Sequence, residues 1–205
     1  GALDGGTGVL SGGSAPAGAD AGGDDPAAIQ ALAEKQSHDR AAQQESEALH
    51  NAETQIAHAL ELDGMAGAVQ FRIESRGLIV TVVADRVLFD VGADALRPEG
   101  RQVLDAMSPA LAALPNQIAI EGHTDDQPIV GPGRFATNWE LSTARAVQVL
   151  RYLVGEHAIV ASKISAAGYA DQRPRVPNDS DAHRSENRRV EVVVLSTFTD
   201  PPGGT

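Results

Sequence analysis

Two oppositely charged residues, Asp125 and Arg145, are the strongest candidates for a ligand site in this sequence. Asp125 lies in EGHTDD at 121–126, directly after apolar residues that predict a buried strand, whereas Arg145 lies in the helical segment NWELSTARAVQVLRYL. A guanidinium binds a carboxylate with two hydrogen bonds, and a carboxylate binds an ammonium, so together the two residues suit a zwitterion. An Asp125–Arg145 ion pair that only ties loop to helix is the alternative, and spacing alone leaves both interpretations open.

The helix that carries Arg145 brings further side chains to the same face. Asn138, Leu141, Ser142 and Arg145 are three, one and three positions apart, so they share one face of the first two turns. Asn138 is placed to cap this helix.

A second charged cluster, NRRVE at 187–191, lies where the last strand is expected to begin. Because side chains alternate along a strand, one of Arg188 and Arg189 faces solvent and the other faces the opposite side.

Other kinds of chemistry fit the residues less well. His123, Asp125 and Asp126 are conceivable metal ligands, but no HxxxH-type or carboxylate-rich partner accompanies them. Ser142 and Ser165 lack a nucleophile elbow. Asp125 and Asp126 could form the acid/base pair of a glycan hydrolase, but neighbours on an extended segment point to opposite sides. The sequence therefore predicts no catalysis, no cofactor and no metal.

Composition narrows the functional classes. The chain has 205 residues, a net charge of −12 and no cysteine. Broad binding to phosphate backbones needs a contiguous basic face, and the acidic balance of this chain argues against such binding and so against nucleic acid as a partner. Without cysteine there is no disulfide framework, thiol nucleophile or cysteine-based zinc site.

Changes of composition along the chain predict its domain organisation. Residues 1–25 are rich in Gly, Ala, Ser and Asp and are expected to form a flexible linker. Residues 26–62 are expected to form a helix with sparse apolar positions, a stalk or a weak partner-binding element. Residues 63–198 are expected to form the folded domain, and residues 199–205 a disordered tail.

Within the folded domain the hydrophobic pattern reads β-β-α-β-α-β. A hairpin, with LIVTVVADRVLF at 78–89 in its second arm, precedes a helix that begins near Pro98. A long Pro/Gly loop separates a buried strand from the second helix, and a polar loop at 173–187 precedes the last strand. Right-handed crossovers place both helices on one face of a single mixed sheet. The predicted fold class is α/β (α+β), a two-layer sandwich.

Five segments of the chain, taken together, resemble the OmpA-like peptidoglycan-binding domain in order and spacing. They run from about Phe89 to Leu195 and read FDVGADALRPEG, IAIEGHTDDQPI, NWELSTARAVQVLRYL, ISAAGYADQRP and NRRVEVVV. The resemblance implies a noncatalytic domain that binds the peptide stem of peptidoglycan through the zwitterionic end of its diamino acid. By motif position, Asp125 takes the ammonium and Arg145 the carboxylate, and the same groove is lined by Thr124, Asn138, Leu141 and Arg189.

Within that family, the doubled acid of TDD, the long Gly/Pro loop and the tryptophan of NWELS are similar to the flagellar motor stator proteins. This similarity implies a homodimer on the outer, periplasmic side of the cytoplasmic membrane. It also implies a stator partner subunit, reached through a membrane helix that this chain lacks. Two alternatives are an envelope adaptor that binds a protein partner, with residues 26–62 as the docking element, and a wall anchor outside the motor.

Overall fold

The computed structural model of the chain describes residues 26–130 and 133–198. The linker and the tail expected at 1–25 and 199–205 lie outside these residues. No helix within the described ranges has the length and apolar character needed to cross a bilayer.

The long first helix, α1, occupies Pro26–Leu62. The chain divides into two compact units within this helix, after Arg40. In the second unit, α1 buries residues three and four positions apart, and these join the main hydrophobic core: Leu49, Ala52, Ile56 and Leu60. The interpretation of residues 26–62 as a stalk is therefore wrong for this half of α1. Ala52 completes this buried face of α1. A pattern based on large apolar residues omits it because its side chain is small.

A five-stranded mixed sheet forms the centre of the second unit. Its strands are β1 (Val69–Glu74), β2 (Gly77–Val83), β3 (Ile118–Gly122), β4 (Ile164–Gly168) and β5 (Arg189–Leu195). They lie in the order β1-β2-β5-β3-β4, in which only β3 and β4 are parallel. The predicted single mixed sheet is confirmed, and the last strand of the chain occupies its middle.

The remaining helices are α2 (Pro98–Ala113), α3 (Asn138–Glu156) and the short α4 (Asp181–Asn187). The pattern predicted α2 and α3 but treated residues 173–187 as a polar loop. In the structure, the Ser180 side chain accepts a hydrogen bond from the main-chain N–H of His183 and caps α4. A π-helical turn, Ala84–Leu88, also ends β2 earlier than the apolar run suggested.

The two faces of the sheet differ in character. One face packs against α2, α3 and the second half of α1, and its inward strand residues are mostly β-branched: Val80, Val82, Ile118, Ile120, Val190, Val192 and Val194. Because side chains alternate along a strand, the residues between them face the other way. That second face carries charged groups, among them Arg72, Glu121 and Glu191.

Glycines allow α3 to approach the ends of β3 and β4 closely. A Cβ atom added to Gly122 would lie 2.1 Å from the Ser142 carbonyl oxygen, and one added to Gly168 would lie 2.4 Å from the Thr143 nitrogen. Neither contact is possible for a larger residue. The first turns of α3 are therefore held against the ends of these two strands.

Candidate functional site

A cavity of about 620 Å³ opens where β3 ends and α3 begins. Five of the six residues predicted for the binding groove line it: Thr124, Asp125, Asn138, Leu141 and Arg145. Asp125 follows the end of β3 and Arg145 lies on the second turn of α3, so the close packing of α3 on the strand ends brings them to one cavity.

Arg145 is almost completely buried, with 1% of its surface exposed. Its Nε donates to the Ala93 carbonyl (2.9 Å), and its Nη2 donates to Asp85 Oδ1 (2.8 Å) and to the Asp90 carbonyl (3.1 Å). The guanidinium also lies 5.2 Å from the centre of the Phe89 ring. No acceptor for Nη1 is found among the residues that the structure describes. The guanidinium is thus fixed in direction while one nitrogen remains available.

Burial lowers the pKa of Arg145, and the Asp85 carboxylate opposes this effect. Arginine keeps its proton at neutral pH even when its pKa is reduced, so the cavity contains a permanent positive charge.

Asp125 is also buried and has fixed partners. Its Oδ1 accepts a hydrogen bond from the Gln127 main-chain N–H (3.1 Å), and its Oδ2 lies 2.5 Å from Arg188 Nη1. Arg188 contacts Asp85 as well, with 2.5 Å between its Nε and Asp85 Oδ2. Arg145, Asp85, Arg188 and Asp125 therefore form a row of alternating charges, called the ion row below. Two acids and two arginines give it no net charge.

The structure thus has no direct Asp125–Arg145 ion pair within the described ranges. Asp85 and Arg188 separate the two residues, and the sequence reasoning missed both as cavity residues. Asp85 was placed on a predicted strand, but the π-helical turn directs this part of the chain to the cavity. Arg188 lies in NRRVE, but the family resemblance points to its neighbour Arg189.

Arg189 lies on the opposite face of the sheet, away from the cavity, which corrects its placement in the groove. Its Nε donates to Glu191 Oε1 (2.8 Å), and its Nη1 and Nη2 donate to the carbonyls of Asn187 and Arg173. The physical reason is the alternation along β5, which puts Arg189 on the same face as Glu191 and opposite to the inward-facing Val190, whereas Arg188 precedes the strand.

Asn138 has a different role from the one predicted. Thr137 caps α3, because its side-chain oxygen accepts from the Glu140 N–H (3.2 Å). The Asn138 amide instead donates to the carbonyls of Asp125 (3.3 Å) and Gln127 (3.0 Å). Thr124 Oγ1 also donates to the Asp125 carbonyl, at 3.0 Å. These bonds fix the loop that carries Asp125.

Within the described residues, His123, Asp125 and Asp126 do not form a group with ligand atoms close enough for a metal ion, so the set considered from the sequence is not assembled. His123 instead joins Glu121 and Glu191, and the three offer ligand atoms within 4.8 Å of one another. Sequence reasoning missed this group because Glu191 lies on a strand distant along the chain.

Comparison with known proteins identifies the class to which this fold and cavity belong. Residues 88–188 match the model of the OmpA family. A crystal structure of a MotB-like protein from Desulfovibrio vulgaris is 31% identical, superposes with a TM-score of 0.67, and is matched over 96% of its length and 74% of this chain. The chain belongs to the OmpA family.

Two further relatives indicate a branch within the family. Motility protein B of Bacillus subtilis is 33% identical over 152 residues, which are 74% of this chain and 58% of the relative. This chain therefore spans less than two thirds of that curated relative. The cell wall anchor of the T6SS from Pseudomonas aeruginosa is 32% identical, with a TM-score of 0.61, over 69% of this chain and 96% of the anchor. The domain is OmpA-like and of the MotB type.

Proposed function

We propose that this protein is a noncatalytic, peptidoglycan-binding anchor that attaches a flagellar motor stator to the cell wall. The observation that carries this proposal is the cavity in which Asp125 and Arg145 stand at the two ends of the ion row. A site with no net charge but with separated charges suits a zwitterionic ligand, because the ammonium and the carboxylate of the ligand each bind a group of opposite charge.

The ligand of this proposal is the zwitterionic end of the diamino acid in the peptide stem. Its ammonium binds Asp125, and its carboxylate binds Arg145 through the nitrogen that has no acceptor among the described residues. Thr124 and Asn138 hold the Asp125 loop in place, and Leu141 supplies apolar contact for the methylene chain between the charges.

The motor assignment rests on similarity to motility protein B. In this proposal residues 63–198 form the wall-binding domain on the periplasmic side of the cytoplasmic membrane. The stator partner MotA is contacted through a membrane segment that lies outside residues 1–205. The domain acts as a homodimer, so two weak sites combine into firmer attachment. Sedimentation at tens of micromolar is the measurement for the dimer, because weak self-association becomes populated in this concentration range.

The experiment that tests wall binding is co-sedimentation of the folded protein with peptidoglycan sacculi. Asp125→Ala and Arg145→Ala are compared with the wild type, and circular dichroism and urea denaturation establish that each is folded. Asp126→Ala and Arg151→Ala are the matched controls, because both residues are exposed. Asp126 is the neighbour of Asp125, and Arg151 lies on the same helix as Arg145.

Binding by the wild type and both controls, together with loss in both cavity variants, supports the proposal. Equal binding by all five proteins would leave wall attachment intact and refute the cavity as the site. Absence of binding by folded wild type would refute the anchor itself.

One observation favours a second candidate, a wall anchor or envelope adaptor outside the motor. The Pseudomonas aeruginosa cell wall anchor is as similar in sequence as the MotB-like protein. Restoration of swimming by this domain, fused to the membrane segment of a motility protein B, would favour the motor.

A glycan hydrolase is disfavoured, since Asp125 is ion-paired and buried while Asp126 is exposed. Release of soluble muropeptides by the pure protein would revive it.

A further inference from the structure

The face of the sheet opposite the helices contains a second cleft, of about 330 Å³. It is called the arginine cleft here, because its lining includes five arginines: Arg72, Arg76, Arg173, Arg175 and Arg189. Three glutamates also line it, so five positive and three negative charges leave a formal excess of +2 in a protein of net charge −12.

The three glutamates are already matched with arginine. Glu121 and Glu191 lie directly opposite each other in the ladder between β3 and β5, an arrangement that is unfavourable for like charges. Arg76 neutralises Glu121 at 2.7 Å and Arg189 neutralises Glu191 at 2.8 Å. Arg72 spans Glu191 (3.2 Å) and Glu74 (3.6 Å). These three arginines account for the glutamates.

The charge excess therefore resides on Arg173 and Arg175, in the loop between β4 and α4. Neither has an ion-pair partner among the residues that the structure describes. The Arg173 guanidinium lies 3.6 Å from the centre of the Tyr169 ring, which orients it without neutralising it. The two main-chain bonds near these residues, from Arg189 Nη2 to the Arg173 carbonyl and from the Arg175 N–H to Asn187, do not involve their guanidiniums.

His123 is an independent sign of a ligand at the same cleft. Only 2% of its surface is exposed, and neither ring nitrogen has a hydrogen-bond partner within residues 26–130 and 133–198. Its ring stacks on Tyr169, with 5.5 Å between the ring centres. A buried imidazole without partners is costly, because the neutral ring has one donor and one acceptor to satisfy. A ligand oxygen in the cleft would accept the ring N–H.

We propose that the arginine cleft is a second binding site, for an oxyanion of the carboxylate or phosphate class, held by Arg173, Arg175 and the N–H of His123. Guanidinium groups bind both anions with paired hydrogen bonds. The site is separated from the Asp125–Arg145 cavity by the sheet, so the inference does not depend on the proposed wall-binding function.

A divalent cation is the competing ligand, because Glu121, His123 and Glu191 offer three ligand atoms to one point. The structure favours the anion. Arg76, Arg189 and Arg72 already bind the two carboxylates, and the positive excess of the cleft repels a cation.

The test is a titration of the full chain with inorganic phosphate, glutarate or zinc, followed by ¹⁵N NMR of the histidine rings. The double variant Arg173→Gln/Arg175→Gln is the main comparison, and it retains the main-chain bonds noted above. The matched control is Arg101→Gln/Arg151→Gln, two exposed arginines on α2 and α3. His123→Asn, read by calorimetry, tests the ring itself.

We expect a saturable shift of the His123 resonances with phosphate or glutarate, weakened about tenfold or more in the double variant and unchanged in the control. The tighter of the two probes identifies the anion class. His123→Asn weakens binding by about threefold or more, through the loss of one hydrogen bond. Asp125→Ala leaves the titration unchanged even where it abolishes sacculus binding.

Three results would overturn the inference. They are the absence of saturation by either anion, equal binding in the double variant and the wild type, and saturable zinc binding that phosphate does not antagonise.

Discussion

Arg188 Nη1 lies 2.5 Å from Asp125 Oδ2, and the same arginine contacts Asp85 in the ion row. The carboxylate at one end of the proposed ligand site is therefore shared with a side chain of the protein. An ammonium that binds Asp125 must compete with Arg188, which is the more exposed partner, with 28% of its side chain accessible.

Replacing Arg188 tests this competition. Arg188→Gln gives the ion row a net charge of −1 and frees Asp125, so we expect sacculus affinity to rise by about threefold to tenfold, equivalent to roughly 1 kcal/mol. The measurement is a sacculus binding curve, with Arg184→Gln on α4 as control. Loss of binding would contradict the prediction and would mean that Arg188 itself contacts the wall.

Lysine is not expected to replace Arg145. Nε and Nη2 of the guanidinium make three hydrogen bonds in different directions, which a single ammonium cannot reproduce. We expect Arg145→Lys to lower the free energy of unfolding by about 1–3 kcal/mol and to remove most sacculus binding. Urea denaturation and co-sedimentation measure the two effects, with Arg151→Lys as control. Sacculus affinity of Arg145→Lys equal to that of the wild type would refute the directional role of the guanidinium.

Substitution of alanine at two glycines, Gly122 and Gly155, is expected to change the free energy of unfolding in opposite directions. Gly122→Ala puts Cβ 2.1 Å from a main-chain oxygen of α3, whereas no atom of the described part of the chain lies within 4 Å of a Cβ at Gly155 in that helix. We expect Gly122→Ala to destabilise by about 3 kcal/mol or more. Gly155→Ala should stabilise by about 0.5–1 kcal/mol. The measurement is the urea midpoint of each variant. Equal changes of the midpoint in the two variants would show that α3 does not pack against β3 as closely as described.

His123 makes stability depend on pH. Burial, followed by the positive charge of Arg189, lowers its pKa to about 3. The charged groups around it are Arg76, Glu121, Arg173, Arg189 and Glu191. Since a histidine in the unfolded chain titrates near 6.5, the unfolded state binds a proton first as pH falls, and stability is lost below that pH.

We therefore expect the free energy of unfolding to fall by up to about 1.4 kcal/mol per pH unit between pH 6.5 and 5, a range above the carboxylate titrations. His123→Asn should flatten this slope, while His58→Gln, at an exposed position on α1, should not. Urea denaturation at half-unit pH intervals measures both. A slope that persists in His123→Asn would assign the pH dependence to other groups.

Glu45 joins α1 to the end of β5. Its two oxygens accept hydrogen bonds from Asn116, Ser196 and Thr197, at 2.6 to 2.9 Å. These bonds lower its pKa against the opposing effect of burial. We expect Glu45→Gln to destabilise by about 1–3 kcal/mol at pH 7 and by progressively less as the pH falls into the acid range, because protonation of a carboxylate whose pKa is lowered by folding removes the same stabilisation. Glu47→Gln, exposed on the same helix, is the control for urea denaturation. No difference between the two variants at pH 7 would contradict the role of Glu45.

The fold was predictable from sequence because strand and helix periodicities are local signals. The mixed sheet and both main helices followed from alternating β-branched residues and from apolar positions three and four apart. Asp85, by contrast, reaches the cavity through a π-helical turn, for which the run LIVTVVADRVLF gives no local signal. Arg189 was assigned to the groove by motif position alone, because the alternation along a strand does not say which of two adjacent arginines faces which side until the sheet is assembled.

The cavity was partly predictable for a similar reason. Asp125 and Arg145 were placed together because a strand end and the helix that follows it meet at one edge of the sheet. The role of Asn138 was not predictable, because Thr137 and Asn138 are both suitable capping residues and only the position of the Asp125 loop decides between them. The arginine cleft joins β1, β2, β3, β5 and the loop after β4, a grouping that requires the strand order.

The central place of β5 has a consequence for how the chain matures. The β1–β2 hairpin and the β3–β4 pair are connected in the sheet only through β5, which is the last of these five strands to be synthesised. Until β5 is present, β2 and β3 each have an edge of unpaired main-chain N–H and C=O groups. The contacts that β5 makes with β2 are distant in sequence, and such contacts form slowly. A chain that ends before residue 189 keeps both strand pairs but lacks the strand that joins them in the sheet.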